Sequence, residues 1–187
     1  MLSDNLDFSL NRHKLEPTLE TEARKCFRMY KTILDIMDYR QYIVNEESKN
    51  MTFPEFAELY ERQELLDKRE IFPPLEMEED EEIDPSIAVF YNFNEEEITA
   101  EYVNRVIKSC GKIRKFFLVT PSLSRNKTTS YVLDKKAQTF INELSKKDGS
   151  ETVSYRFETF RQDELLFNVL KHDLVPEHRL LSEAQKV

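Results

Sequence analysis

The sequence predicts an α/β fold, a central mixed sheet of about three to five strands with flanking helices. Three observations predict it. Two runs, Ser86 to Phe93 and Ile113 to Val119, are apolar at almost every position, as in strands covered on both faces. A helical pattern lies between them, and strand, helix, strand in that order implies a right-handed parallel crossover. Apolar residues at three- and four-residue spacing recur before and after this unit, so further helices are available to cover it.

Taken in order, residues 1–18 are polar, lack the apolar stretch of a signal peptide, and are expected to be a disordered extension. A first helix is expected from Glu20 to Asp38. Ala23, Cys26, Phe27, Tyr30, Ile33, Leu34 and Met37 share one face, and Thr18 or Thr21 is the candidate cap. Tyr42-Ile43-Val44 suits a short extended piece. Thr52 and Glu55 have capping-box spacing, and Phe53, Phe56, Ala57 and Tyr60 form the stripe of a second helix. Pro54 falls in its first turn, where a missing N–H costs little.

Residues 67–85 read as a loop. Pro73-Pro74 interrupts any helix, and the acidic run from Glu76 to Asp84 repels itself. After the 86–93 strand, Thr99 is placed to cap a helix with Val103, Val106, Ile107 and Cys110 inward, and Gly111 to end it in a left-handed conformation. Pro121 stops the 113–119 strand. A polar loop, SLSRNKTTS, leads to a helix expected from Tyr131 to Leu144 with Leu133, Ala137, Phe140, Ile141 and Leu144 inward. Asp148-Gly149-Ser150 is a turn. Val153, Tyr155, Phe157 and Thr159 alternate with Ser154, Arg156 and Glu158, which predicts a half-exposed strand. Leu165 to Leu170 fits helix and strand equally well.

Composition narrows the function. A net charge of -9 argues against a free-standing nucleic-acid binder, whose affinity rests on neutralising phosphates. With only 2 Gly there is no phosphate-cradling loop. Cys26 and Cys110 are isolated, which suits a reducing compartment and not a disulfide scaffold. No apolar run reaches the ~18–20 residues that span a bilayer, so no membrane contact is expected.

Candidate chemistry is sparse. Asp84 precedes a strand, as in some metal-dependent nucleases, but no Glu-x-Lys or Asp-x-Lys triplet follows on the 113–120 or 153–160 strand. His172 and His178 are six apart, off one helical face, with no evident third ligand. No catalytic residue, metal site or cofactor is therefore expected. Lys112, Arg114 and Lys115, near Lys108 and followed by Arg125 and Lys127, are candidates to face DNA phosphate; otherwise they edge a solvated loop. Leu174, Val175 and Pro176, flanked by His172 and His178, are candidates for contact with a protein partner.

One stretch is more specific than composition allows. Residues 155–178, YRFETFRQDELLFNVLKHDLVPEH, resemble the region joining the two domains of the fifth subunit of eukaryotic nuclear RNA polymerases. The matching positions are Tyr155, Glu158, Phe160, Gln162, Glu164, Leu165, Leu166, Asn168, His172 and Leu174 through His178. The resemblance implies a non-catalytic, nuclear subunit common to polymerases I, II and III. Residues 19–165 would form its jaw domain, a nuclease-like fold without an active site, and 166–187 the start of a small C-terminal α/β assembly domain. The implied partners are the largest polymerase subunit, other subunits, downstream DNA within the assembled enzyme, and transcription regulators. The family's later Leu-Pro-x-Ile and Asp-Pro steps do not follow within this sequence, so that domain is expected to be truncated here. Two other readings of the residues are an independent acidic interaction module centred on 76–84 and a divergent metal-dependent nuclease.

Overall fold

The computed structural model describes residues 17–65, 68–76, 84–93, 97–121, 133–146 and 154–171. The order of elements is α1 (Pro17–Tyr39), α2 (Glu46–Asn50), α3 (Phe53–Glu61), β1 (Arg69–Phe72), β2 (Asp84–Phe90), α4 (Ala100–Ser109), β3 (Ile113–Thr120), α5 (Lys135–Ser145), β4 (Arg156–Arg161) and α6 (Gln162–Leu165). A single 3-10 turn, Val169–Lys171, follows.

The four strands form one sheet in the order β1-β2-β3-β4. β1 runs antiparallel to β2, whereas β2, β3 and β4 are mutually parallel. The sheet is therefore mixed, and the fold is α/β as its sequence predicts.

Period-two alternation explains the apolar runs. Ile87, Val89 and Tyr91 of the β2 run, with Phe117 and Val119 of β3, join a core built with α1, α3 and Leu165. The intervening Ala88, Phe90, Phe116 and Leu118 join a second core with α4 and α5. Both faces of the two central strands are thus dry, which demands an apolar residue at almost every position. Cys26 lies in one core and Cys110 in the other, both buried and not joined in a disulfide, with the sheet between them.

Local signals account for several boundaries. Thr52 and Glu55 form the expected reciprocal capping box on α3. The Thr99 hydroxyl accepts from the Tyr102 N–H at 3.2 Å, capping α4. Gly111 has φ +57, the left-handed conformation that ends α4 with little strain in glycine.

The structure corrects the sequence reading in five places. Residues 69–72 are a strand, not part of a loop: β1 is an edge strand whose inward position Glu70 is charged, so it carries no apolar alternation. Thr18 and Thr21 lie inside α1, which begins at Pro17, and so do not cap it. The short helix α2 was not anticipated; Asn45 caps it, and Lys31 Nζ donates to the carbonyls of Ser48 and Lys49 at its other end. α5 starts at Lys135, because Leu133 instead bridges to Ile98 beside the sheet. Thr159, expected inward with Tyr155 and Phe157, is exposed, and Phe160 packs on the opposite face of the sheet, against the α1 core. The ambiguous 165–170 segment resolves into the end of α6 and the 3-10 turn. Tyr42 makes a single antiparallel bridge to Pro74, in keeping with a short extended piece. Of the extension expected at 1–18, residues 17 and 18 instead open α1, and residues 1–16, like the acidic residues 77–83 and the turn at 148–150, lie outside the described residues.

Phe117 is fully buried at the centre of β3 and stacks on Phe160 at 4.4 Å. Phe117→Ala is expected to destabilise by about 3–5 kcal/mol in chemical denaturation, since the removed ring leaves a cavity that the sheet cannot close.

Candidate functional site

The basic residues at 108–115 gather at the amino ends of the parallel strands. Lys108 is exposed in the last turn of α4, where a cation opposes the helix dipole, and Lys112 is exposed just before β3. Arg114 and Lys115 are tied to the fold. The Arg114 guanidinium donates to the carbonyls of Gly111 at 2.7 Å and Ile113 at 3.1 Å and lies 4.8 Å from the Tyr155 ring centre. Lys115 Nζ donates to the Pro85 carbonyl at 3.2 Å, stitching β3 to β2. Arg125 and Lys127 lie outside the described residues, and their loop leaves β3 at Thr120, its opposite end. At ~3.3 Å per residue, the strand separates that exit from Lys112 by roughly 25 Å.

Ligands of open parallel sheets sit beyond the carboxyl ends of the strands. Here those ends hold intramolecular bonds. The buried Gln162 amide donates to the Asn92 carbonyl at 3.1 Å, and the buried Thr120 hydroxyl donates to the Phe160 carbonyl at 3.3 Å. Asp84 opens β2, and its carboxylate accepts from the Ser86 N–H at 2.9 Å. Glu158, on β4, pairs with Arg40 at 2.8 Å. Among the described residues, no three His, Cys, Asp or Glu side chains are gathered as a metal would require.

Sequence reasoning missed a polar cluster beneath α1. Glu70 accepts from Tyr91 at 2.5 Å, Tyr30 at 3.2 Å and Ser48 at 3.4 Å, and pairs with Lys68 at 2.8 Å. Burial, first, raises both phenol pKa values above the ordinary range; the Glu70 charge adds to this, and a Ser48 hydrogen bond partly opposes it at Tyr30. The phenols therefore stay protonated and serve as donors. A charged residue followed by Ile and Phe was the only available signal, and it does not identify an acceptor.

The segment resembling the domain junction is bonded along its described length. Phe157 stacks on Phe116 at 5.1 Å, and Phe160 on Phe117. Glu164 accepts from the Arg161 N–H at 2.9 Å, and Leu165 is buried against the α1 core. Asn168 Nδ2 donates to Asp35 at 2.6 Å, and Lys171 pairs with the same carboxylate at 2.7 Å. His172, Leu174, Val175, Pro176 and His178 lie outside the described residues.

Comparison with protein families falls on a different part of the chain. Residues 20–110, from within α1 to the end of α4, match the model of RNA polymerase Rpb5, N-terminal domain. The match supports an Rpb5-like RNA polymerase subunit. The matched Rpb5 region supplies Asp35, Arg40 and Asn92, the groups that hold Asn168, Glu158 and Gln162. The region matched by the family and the junction-like segment thus meet in one folded body.

Two outcomes test the Glu70 cluster. Glu70→Ala leaves buried hydroxyls without their acceptor, at about 1–3 kcal/mol each, and is expected to lower the denaturation midpoint more than removal of an exposed ion pair. Because the folded-state phenol pKa values are raised, their contribution is present below about pH 10 and lost as pH rises through the folded values. In a spectrophotometric titration, Tyr30 and Tyr91 should ionise only together with unfolding.

Proposed function

We propose that this chain is a non-catalytic subunit shared by nuclear RNA polymerases I, II and III. In this reading residues 19–165 form a jaw-like domain beside downstream DNA, and 166–187 begin the domain that joins the subunit to its neighbours. The observation that carries the reading is the agreement of two separate regions. Residues 20–110 match the Rpb5 N-terminal domain, and the junction-like 155–171 stretch is held by the Asp35 and Arg40 side chains and the Asn92 carbonyl of that same region.

The subunit would act by shape and partner contact. Catalysis would belong to the assembled polymerase, whose other subunits supply the positive field that a chain of net charge -9 lacks. Lys112, with its exposed ammonium group, is the best candidate of the basic set for a phosphate contact. Arg114 and Lys115 serve the fold first. His172, Leu174, Val175, Pro176 and His178 remain the proposed contacts to the largest subunit, and transcription regulators are further partners of the assembled surface. The expected location is the nucleus.

Affinity purification of the tagged natural protein from nuclear extract tests this reading. The large subunits of polymerases I, II and III should all co-purify. Recovery of none sinks it, and recovery of one class alone removes the shared role. Incubation of the protein with DNA and Mg²⁺ or Mn²⁺ should give no cleavage.

A further inference from the structure

The outer edge of β1 carries backbone groups that the fold leaves open, and the register shows which ones. The Tyr91 N–H donates to the Lys68 carbonyl at 3.2 Å, so the even positions that follow, Glu70 and Phe72, turn their backbone groups toward β2. The odd positions turn theirs to the other edge. Two bonds on that edge agree: the Ile43 N–H donates to the Pro73 carbonyl at 2.7 Å, and the Leu75 N–H to the Gln41 carbonyl at 2.8 Å. Pro73 itself falls on this side, where a strand tolerates a missing N–H. Pairing then stops, because the chain leaves the edge at Asn45 to enter α2. Among the described residues, the N–H and C=O groups of Arg69 and Ile71 face outward with no partner.

A recess of about 440 Å³ opens where the pairing stops, lined by Ile43, Asn45, Ser48, Ile71 and Pro73 among others. Ile71 is 50% and Ile43 49% exposed. Alternation places both, together with Arg69, on one face of the edge. Arg69 is exposed and makes no ion pair among the described residues.

We propose that β1 accepts one further strand, an extended segment of a partner protein that runs antiparallel to β1, with a branched apolar residue opposite Ile71 and an acidic residue opposite Arg69. Its main chain exchanges N–H···O bonds with Ile71 and Arg69 and takes up the ladder where residues 41–43 leave it. The apolar side chain packs on Ile71 and Ile43, and the carboxylate meets the Arg69 guanidinium. The residue between them points toward the Ser48 side of the recess, so a small polar one fits. The inference does not depend on the polymerase reading.

The probe is the N-acetylated peptide amide VSET, titrated into the isotopically labelled full chain while amide exchange is followed by NMR. Exchange should slow at Arg69 and Ile71 and stay unchanged at Glu70 and Phe72, whose amides already face β2. The peptide VSKT should bind roughly three- to tenfold more weakly, and Arg69→Glu, at an exposed position, should reverse that order. Methylation of the backbone nitrogen of the peptide's glutamate should weaken the protection, since it removes a ladder donor. Absence of protection at Arg69 and Ile71 with VSET overturns the proposal, and equal affinity for the two peptides overturns the acidic partner. Amides already protected without peptide also overturn it. Protection independent of protein concentration then assigns the edge to the chain itself, and protection that grows with concentration assigns it to a second copy.

Discussion

Double-sided burial of β2 and β3 is the constraint on which the rest of the molecule depends. A parallel pair has no short connection, so the chain must cross back over the sheet, and here α4 makes that crossing. With α4 and α5 on one face, the other face of the same strands is left apolar. It is covered by α1 and α3, which come from much earlier in the chain. Removing either helical layer would expose Phe117 and Val119 or Phe116 and Leu118 to water, so the two layers are required together.

The edge of the sheet introduces a polar cost that the fold offsets locally. β1 places Glu70 on the same side as Phe72, toward α1. An unpaired carboxylate there would be unfavourable, but two phenols, a serine and a lysine satisfy it. In return the carboxylate orients Tyr30 and Tyr91, two of the largest buried side chains. The cluster ties α1, α2, β1 and the end of β2 by directional bonds where apolar packing alone would allow sliding.

α1 also organises the other end of the polypeptide. Asp35 on α1 and Arg40 just past its end receive Asn168, Lys171 and Glu158. The Rpb5-like region therefore does more than bury its own core. It fixes the direction in which the chain continues after β4, and that direction governs where any further domain or partner can be reached.

How much was legible in the sequence follows from the range of each interaction. The strands β2 and β3, the amphipathic faces of α1, α4 and α5, the Thr52 and Thr99 caps and the Gly111 terminator rest on period and neighbouring residues, so the sequence alone determined them. Tertiary structure alone decided the rest. β1 is a strand because β2 offers it a partner, not because Arg69–Phe72 prefers extension. Glu70 becomes an acceptor only when α1 and the end of β2 meet above it. Arg114 and Lys115 read as free cations until the fold supplies the carbonyls of Gly111, Ile113 and Pro85. Periodicity reports which side of an element is dry; it carries no record of which distant backbone or side chain will lie within hydrogen-bond reach.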